Sequence, residues 1–290
     1  MKLLKPNNFS EYQLIDSGNY MKLERYGSYI LSRPEPQAAW DMNLNEKEWN
    51  KLCTAIFKKD KINTEKGEWV LKADMPEQWR IRYNSSEYAI TFRLGLTSFK
   101  HIGIFPEQAP NWDYIYQQTS KIKDAELLNL FAYTGGASMA AAKAGAFVTH
   151  LDSVKPVLNW AKQNMELNDI KNIRWMAEDA MKFVKREVKR GNKYNAILLD
   201  PPAYGRGPQG EKWVLEDQLN ELLKLCKLIL KEENSFFVLN SYSMGYSALI
   251  LESLIKNIFG NVPTLEVGEL YVEDEAERKL PLSVFARFYC

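Results

Sequence analysis

The sequence predicts an α/β protein in which a doubly wound, mostly parallel sheet of seven strands follows a smaller β-rich region. Two observations support this fold class. After about residue 120, short apolar runs alternate with amphipathic segments, and the runs at 196–199 and 236–239 are apolar throughout, as in strands buried on both faces. Earlier residues form short mixed segments interrupted by Gly and Pro. We therefore predict one domain over residues 1–97 and a second over residues 98–290.

The N-terminal strands are predicted where apolar and polar residues mix in short runs between turn signals. They cover residues 11–18, 21–27, 28–36, 67–73, 78–84 and 87–94. One helix is predicted over residues 45–59, because Trp49, Cys53 and Ile56 recur at helical spacing. The aromatic stretch 99–112 joins the two regions, and its composition indicates a packed segment rather than a flexible linker.

The C-terminal region shows strand and helix patterns in alternation. The predicted strands cover residues 126–131, 146–151, 172–176, 195–199 and 235–240. The predicted helices cover residues 137–145, 157–168, 180–191, 213–231 and 247–260. Residues 264–290 contain two extended segments around a charged turn, which predicts a β-hairpin that gives the sheet an antiparallel edge strand.

Composition excludes several classes of protein. The 38 basic and 37 acidic residues leave a net charge of +1, unlike the strongly basic balance of a dedicated nucleic-acid coat protein. Three widely spaced cysteines and two histidines argue against a disulfide framework and against a metal centre. The first residues carry no signal-peptide core, and no apolar run approaches the roughly 18 residues of a membrane span. These features predict a cytoplasmic protein with reduced thiols and no membrane partner.

A Gly-rich turn follows the first strand of the alternating region, where "LLNLF" runs into "AYTGGAS". Gly135 and Gly136 permit backbone conformations that are closed to other residues and let the chain approach a ligand. The next strand ends at Asp152, whose carboxylate can accept hydrogen bonds from ribose hydroxyls. A tight turn beside a surface carboxylate is the simpler interpretation, but the acid at the next strand end favours a cofactor site.

The pattern around these strands selects the kind of cofactor. The dinucleotide pattern G-x-G-x-x-G is absent, so no pyrophosphate cradle is evident. Asp179 follows the third strand, where it can accept a hydrogen bond from an adenine amino group, act as a helix N-cap, or do both. Acids after the second and third strands without a phosphate loop suit an uncharged or cationic adenosine ligand. S-adenosylmethionine (SAM) is the obvious candidate.

Four motifs in order carry a family resemblance. "LLNLFAYTGG", "HLDSV", "AEDAMKFV" and "LLDPPAYGRG" resemble the successive motifs of class I SAM-dependent methyltransferases, over roughly residues 100–290. The "FAYTGG" form resembles the branch that contains the large-subunit ribosomal RNA cytosine-C5 methyltransferases. "GIFPEQ" resembles that branch's G-x-F-x-D-Q-R stretch, with Ala109 where the arginine is expected. The resemblance implies a Rossmann-like fold, a substrate-binding N-terminal domain, and a cofactor shell of Gln108, Tyr133, Thr134, Gly135, Gly136, Asp152, Ser153, Asp179 and Asp200.

The turn "DPPAYGRG" after the fourth strand resembles the motif with which methyltransferases hold planar nitrogen groups or nucleobases. Pro201 and Pro202 fix φ and make the turn rigid. Asp200 and the adjacent carbonyl groups can accept hydrogen bonds from the target group. Tyr204 can stack on a flat ring, a contact worth roughly 1–3 kcal/mol per base. Asp200, Pro201, Pro202 and Tyr204 are therefore the predicted catalytic residues, although a structural turn with a buried tyrosine is the alternative interpretation.

The resemblance fails at one position. Methylation of cytosine C5 normally requires a cysteine thiolate that adds to C6, and in the ribosomal RNA family this cysteine follows the fifth strand. Here Tyr242 stands between Ser241 and Ser243. Cys226 lies on an apolar helical face, which predicts a core position. The missing cysteine favours methylation at an exocyclic nitrogen, or at another carbon or oxygen.

The sequence therefore predicts a SAM-dependent methyltransferase that acts on a nucleobase in RNA, with ribosomal RNA favoured. Two alternatives stay open at this point. The near-neutral charge favours a small molecule or protein side chain as substrate, whereas Tyr242 and Ala109 motivate a catalytically silent module that binds SAM or RNA. The basic helix over 180–191 is predicted to be a solvated face rather than an RNA site.

Overall fold

The computed structural model describes residues 1–60, 66–72, 74–242 and 245–290. Two compact units are present. We call the first the sheet unit; it comprises Met1–Leu4, Gln108–Leu270 and Ser283–Cys290. We call the second the β-rich unit; it comprises Lys5–Glu107 and Tyr271–Leu282. The sequence predicted one division between residues 97 and 98, whereas the chain enters each unit more than once.

The elements are numbered along the chain. The strands are β1 (Lys2–Leu4), β2 (Tyr12–Gly18), β3 (Met21–Tyr26), β4 (Tyr29–Pro34), β5 (Ala55–Lys59), β6 (Gly67–Leu71), β7 (Gln78–Asn84), β8 (Ala89–Gly95), β9 (Glu126–Leu130), β10 (Phe147–Asp152), β11 (Ile173–Ala177), β12 (Ala196–Leu199), β13 (Tyr204–Arg206), β14 (Lys212–Val214), β15 (Phe236–Tyr242), β16 (Glu266–Glu273) and β17 (Lys279–Tyr289). The α-helices are α1 (Glu46–Leu52), α2 (Ala109–Thr119), α3 (Gly136–Lys143), α4 (Lys155–Leu167), α5 (Ala180–Arg190), α6 (Leu215–Ile229) and α7 (Ala248–Phe259).

The large sheet confirms the predicted fold class. Its strand order is β1-β16-β17-β15-β12-β9-β10-β11, and the pairs from β15 to β11 are all parallel. The described residues give this sheet eight strands rather than seven, because β1 pairs in parallel with β16. The hairpin strand β17 is antiparallel to β15, as predicted, but it lies inside the sheet and not at its edge.

The register of the parallel strands brings four strand ends to one edge. Leu130 of β9 pairs with Leu151 of β10 on one side and with Leu199 of β12 on the other. Leu199 in turn pairs with Leu239 of β15. The chain passes from β9 to β10 and β11 in one direction and then returns to β12 on the other side of β9. This reversal creates a crevice at the carboxyl ends of β9 and β12, where open α/β sheets bind ligands.

One apolar core joins α5, α6 and α7 to β9, β12 and β15. The strands contribute continuous apolar runs, as predicted, and Ala196–Leu199 is buried at every position. Cys226 lies in this core with no exposed surface, and burial raises the pKa of its thiol. The predicted core role of Cys226 is therefore confirmed.

The β-rich unit contains a five-stranded sheet of order β2-β3-β4-β5-β6 and a hairpin of β7 and β8. The predicted helix over residues 45–59 is wrong in its second half: α1 ends at Leu52, and β5 follows it and pairs with β4 and β6. Trp49, Cys53 and Ile56 nevertheless share one apolar cluster. Their spacing therefore reflected a common core rather than one continuous helix.

Two further boundaries differ from the sequence prediction in the sheet unit. The stretch 99–112 leads into α2, a helix that the sequence pattern did not predict. The helix predicted from residue 213 begins at Leu215, because Trp213 and Val214 belong to β14, which pairs with β13. Both differences lie beside the crevice, since Gln108 at the start of α2 faces Asp200 and β13 follows the Asp-Pro-Pro turn.

Candidate functional site

The turn between β9 and α3 has an unusual backbone. Phe131 and Tyr133 have positive φ angles of 56° and 50°, and Gly135 has a φ of 94°. Such angles cost non-glycine residues roughly 1 kcal/mol or more, and they concentrate at ligand sites. The turn is held by the Gly135 N–H, which donates to the Ala132 carbonyl at 3.1 Å, and by the Ala132 N–H, which donates to the Leu151 carbonyl at 3.0 Å. The conformation is therefore specified by the surrounding strands.

The two glycines of this turn are required for different reasons. Gly135 adopts the predicted left-handed conformation, and a Cβ there would lie 2.5 Å from the Met165 Cε. Gly136 is the first residue of α3 and has no positive φ; a Cβ on it would lie 2.8 Å from the Trp112 indole ring. The prediction that both glycines serve through backbone freedom is thus wrong for Gly136, which is small because Trp112 packs on it.

Asp152 ends β10 beside this turn. Its Oδ2 accepts a hydrogen bond from the Tyr133 N–H at 3.0 Å, and its Oδ1 accepts one from the Val154 N–H at 2.9 Å. Burial raises the pKa of this carboxyl, and the backbone N–H donors, including that of Ser153, offset part of the shift. A carboxylate has about four acceptor positions, so these bonds leave capacity for ribose hydroxyls. Thr134 is buried in the same turn.

Asp179 is the N-cap of α5, which confirms one of its two predicted roles. Its Oδ1 accepts a hydrogen bond from the Lys182 N–H at 2.9 Å. The neighbouring Glu178 forms a two-pronged ion pair with Arg186 at 2.5 and 2.6 Å. The contact of Asp179 with an adenine amino group stays a prediction. Its side chain is only half-buried at the end of β11, next to the β10 strand that ends at Asp152.

His150 lies beneath the turn and is buried, as predicted. Its Nδ1 lies 2.9 Å from the Ser138 Oγ, and Ser138 also accepts a hydrogen bond from the Asn129 side chain at 2.9 Å. Burial lowers the pKa of His150 to about 3, so the imidazole is neutral at ordinary pH. The neutral, enclosed ring supports the turn through its contact with Ser138.

The Asp-Pro-Pro turn follows β12 on the other side of β9. Pro201 is buried, whereas Pro202 and Tyr204 are exposed, with 51% of Tyr204 accessible. The structural alternative, a buried tyrosine, is therefore wrong. Tyr204 begins β13 rather than forming part of the turn itself. An exposed ring on a rigid support is suited to stack on a flat ligand.

Trp213 supports this turn, a role that its predicted place at the start of a helix did not indicate. Its indole Nε1–H donates to the Pro202 carbonyl at 2.7 Å, and its ring centroid lies 4.8 Å from that of Phe131. The Leu215 N–H adds a bond to the Ala203 carbonyl at 2.9 Å. Trp213 thus connects the turn after β12 to the end of β9. The one indication in the sequence was a large aromatic residue close behind the Gly- and Pro-rich stretch 205–210.

Gln108 contacts Asp200 across the crevice. Its Nε2 lies 3.5 Å from the Asp200 Oδ2, and its Oε1 accepts hydrogen bonds from the side-chain amides of Asn111 and Asn240 at 3.2 and 2.9 Å. The structure thus brings together Gln108 and Asp200, two members of the cofactor shell that the family resemblance implies. The cofactor contact of Gln108 stays a prediction. Asn111 and Asn240 were not predicted, because they lie on α2 and β15, far apart in the chain.

The family follows from a match to known sequences. Residues 56–270 match the family model described as S-adenosylmethionine-dependent methyltransferase. The chain belongs to this family. A solved structure supports the assignment over the full length. The chain is 36% identical to a SAM-dependent methyltransferase from Agrobacterium tumefaciens, with a TM-score of 0.91 over 100% of this chain and 93% of that one.

More distant structures share the fold of this methyltransferase. A putative SAM-dependent methyltransferase from Streptococcus mutans is 17% identical, with a TM-score of 0.73 over 97% of this chain and 76% of that one. A further putative methyltransferase, solved in complex with SAH, is 19% identical with a TM-score of 0.75 and the same coverage. At these identities the likeness establishes the Rossmann-like methyltransferase fold alone.

Two curated relatives of this methyltransferase are named as ribosomal RNA methyltransferases. The chain is 31% identical over 159 residues, 53% of its length, to the Ribosomal RNA large subunit methyltransferase K/L of Shewanella sp. (strain MR-4). It is 33% identical over 150 residues, 50% of its length, to the enzyme of that name from Shewanella amazonensis. The matches span about a fifth of those relatives, 22% and 20% of their respective lengths.

The methyltransferase site fits S-adenosylmethionine, the cofactor of the family. Half-buried carboxylates at the ends of β10 and β11, Asp152 and Asp179, offer acceptors for ribose and adenine. The turn after β9 has one left-handed glycine, Gly135, and lacks the repeated glycines of a pyrophosphate cradle. An adenosine ligand without phosphates matches this set of donors and acceptors.

Two negative findings apply to the described ranges 1–60, 66–72, 74–242 and 245–290. No group of three or more His, Cys, Asp or Glu side chains is arranged there to hold a metal ion. No helix in those ranges is long and apolar enough to cross a membrane.

The basic helix α5 is confirmed as a solvated face that pairs with acids. Its ion pairs are Lys182–Glu211, Lys185–Glu221, Arg186–Glu178 and Arg190–Glu187.

Proposed function

We propose that this methyltransferase transfers the methyl group of SAM to a nitrogen of a nucleobase in RNA, with ribosomal RNA as the favoured substrate. The observation that carries the proposal is the Asp200–Tyr204 turn, which presents a carboxylate and an exposed aromatic ring at the reversal of the sheet. The relatives named as ribosomal RNA large subunit methyltransferases support RNA as the substrate class. A cytoplasmic location, as composition predicts, is compatible with that substrate.

The cofactor half of the site follows from the turn after β9. We propose that Asp152 accepts hydrogen bonds from the ribose hydroxyls and Asp179 accepts one from the adenine amino group. Residues 133–136 place their backbone against the ligand, with Ser153 and Gln108 completing the shell. SAM, when bound, supplies an electrophilic methyl group for an in-line displacement. The protein contributes alignment of donor and acceptor and exclusion of water.

The acceptor half uses the turn after β12. Tyr204 stacks on the base, and Asp200 accepts a hydrogen bond from the N–H group of the base, so that the nitrogen lone pair points at the methyl carbon. As the N–C bond forms, the methyl–sulfur bond breaks, SAH is the leaving group, and the Asp200 carboxylate takes the proton that the nitrogen loses. Pro201 and Pro202 keep both groups in place because their φ angles are fixed. A base within folded RNA must be flipped out of its stack to reach this turn.

The cysteines of the sheet unit argue against cytosine C5 as the target atom. Tyr242, which stands where the family cysteine is expected, is the last residue of β15, and 39% of its surface is exposed. Cys226 is enclosed in the core, and Cys290 pairs with Ser235 at the opposite end of β15. Addition to C6 of cytosine requires a thiolate beside the base. A nitrogen that is already nucleophilic requires only alignment.

A single-turnover assay tests this proposal. The protein is incubated with methyl-labelled SAM in three separate reactions, which contain total RNA, total protein or a small-molecule extract. Labelled nucleosides are then identified. We expect label in RNA, as an N-methylated base, and labelling about a hundredfold slower with the Asp200→Ala variant as the matched control. Label confined to small molecules would support the substrate class that the net charge of +1 favours. Labelled 5-methylcytidine would contradict the assignment to nitrogen.

A further inference from the structure

A chain of buried amides runs from β17 to Asp200 within the sheet unit. Arg287 donates through Nη1 to the Asn111 Oδ1 at 3.0 Å. The Asn111 Nδ2 donates to the Asn240 Oδ1 at 2.8 Å and to the Gln108 Oε1 at 3.2 Å. The Asn240 Nδ2 also donates to the Gln108 Oε1, at 2.9 Å, and the Gln108 Nε2 faces the Asp200 Oδ2 at 3.5 Å. Gln108, Asn111, Asn240 and Arg287 are each at most 7% exposed.

The direction in which each amide of this hydrogen-bonded chain donates is set at the Arg287 end. A guanidinium can only donate, so Asn111 must turn its carbonyl towards Arg287 and its NH₂ towards its other two partners. Asn240 then has to accept at Oδ1, which leaves its NH₂ for Gln108. Gln108 receives two donors at Oε1, and its own NH₂ is therefore the group that faces Asp200. Any reversed amide would place two donors or two acceptors against each other in a buried site.

Arg287 itself is firmly placed. Its Nε donates to the Glu266 Oε2 at 2.9 Å, and its guanidinium lies 4.2 Å from the centroid of the Tyr114 ring. The Glu266 carboxylate and the ring hold the cation without accepting the Nη1 hydrogen bond that goes to Asn111. The donor at the origin of the chain is therefore fixed by groups that lie outside the chain.

We propose that Arg287 is a positioning residue that acts on Asp200 through Asn111, Asn240 and Gln108. By fixing the direction of every amide, Arg287 makes Gln108 present a donor to the Asp200 carboxylate. The donor holds Asp200 in one orientation as a hydrogen-bond acceptor. This inference rests on the proposed function, in which Asp200 receives an N–H group, and it selects acceptors whose reacting nitrogen carries a hydrogen.

Asn111→Asp is the decisive variant. The aspartate keeps the shape of Asn111 and pairs with Arg287, so a purely structural role predicts an unchanged or raised Tm. It cannot donate, however, so Asn240 turns its NH₂ towards residue 111 and Gln108 turns its carbonyl towards Asp200. We expect kcat for methyl transfer to total RNA to fall at least about tenfold, which is the effect of losing one well-placed hydrogen bond. The ion pair of the new carboxylate with Arg287 offsets the cost of setting the Gln108 carbonyl against Asp200, so Tm is expected to stay close to that of the wild type.

Arg287→Met and Tyr114→Phe complete the test. The methionine removes the donor that fixes the chain, and we expect kcat to fall about as far as in Asn111→Asp. Tyr114→Phe keeps the ring against Arg287 and removes a hydroxyl outside the chain, so it serves as the control with wild-type kcat. If Asn111→Asp retains wild-type kcat, or if Tyr114→Phe loses as much as Arg287→Met, the positioning role is wrong.

A spectroscopic measurement separates this inference from the proposed function. Hydrogen exchange of the side-chain NH₂ groups of Gln108, Asn111 and Asn240 is followed by NMR in the intact protein, which needs no acceptor. We expect protected NH₂ groups in the wild type and at least about tenfold faster exchange at Asn240 in Arg287→Met. Equal exchange rates at Asn240 in the wild type and in Arg287→Met would contradict the claim that Arg287 fixes the direction of the amides. Absence of methyl transfer by the wild type, with the exchange difference present, would instead overturn the proposed acceptor.

Discussion

The turns after β9 and β12 flank the same crevice but are held in different ways. The turn after β9 has left-handed backbone angles at Phe131, Tyr133 and Gly135, and its own N–H groups bind the Leu151 carbonyl and the Asp152 carboxylate. The turn after β12 depends on side chains from elsewhere in the chain, since Trp213 binds the Pro202 carbonyl. Gln108 faces Asp200 from α2's N-terminal side. The turn after β9 is thus held mainly through main-chain groups, whereas the turn after β12 is held by side chains from several elements.

This difference separates the expected effects of substitution. Changes in the turn after β9 disturb a backbone conformation and should appear in SAM affinity and stability. Changes in the turn after β12 alter groups that face the acceptor and should appear mainly in turnover. The four substitutions below test this division in order of expected effect.

Asp200→Ala is expected to have the largest effect. It removes the carboxylate that receives the acceptor's N–H, and loss of such a positioned group lowers kcat about a hundredfold. SAM affinity, measured by calorimetry, should stay within about twofold of the wild type, since a twofold change is only ~0.4 kcal/mol. An effect confined to SAM binding would contradict the division of roles between the two turns.

Gly136→Ala should follow, with an effect on stability as well as on binding. The added Cβ would lie 2.8 Å from the Trp112 ring, and such overpacking costs about 1–3 kcal/mol. Thermal denaturation should show a lower Tm, together with weaker SAM binding. Gly245→Ala is the control, because a Cβ there meets nothing within 4 Å. Equal Tm values for the two variants would remove Trp112 as the reason for glycine at 136.

Asp152→Ala should weaken SAM binding about tenfold, the value of one or two hydrogen bonds to ribose, with kcat at saturating SAM nearly unchanged. Burial raises the pKa of Asp152, so its carboxylate becomes protonated at a higher pH than an ordinary aspartate. Acidification should therefore weaken SAM binding in the wild type before ordinary aspartates titrate, and Asp152→Ala should lack this dependence. Calorimetry across a pH series measures both effects.

Trp213→Phe should have the smallest effect. It keeps an aromatic ring against Phe131 but removes the N–H that binds the Pro202 carbonyl. The lost hydrogen bond corresponds to about 1 kcal/mol of unfolding free energy, and kcat should fall by about threefold with SAM affinity intact. A larger loss of SAM affinity than of kcat would show that Trp213 acts on the turn after β9 instead.

Local sequence patterns were sufficient for most elements and for the chemistry at the strand ends. Uniformly apolar runs such as Ala196–Leu199 identified the buried strands, and the acids that follow them identified the edge where ligands bind. Failures arose where pairing with another strand overrode a local helical pattern. Strand pairing ended α1 at Leu52 and moved Trp213 into β14. The short β1 carries too little pattern to be recognised without its partner β16.

The sequence by itself determined most of the parallel strands and the helices between them, the two turns and the identity of their acids, because these depend on neighbours along the chain. The tertiary structure decided which residues lie against those acids. Trp112 packs on Gly136, and Arg287 directs amides from α2 and β15 towards Asp200. The direction of a hydrogen-bonded amide depends on every partner it meets. Those partners come together only when distant segments pack in one unit.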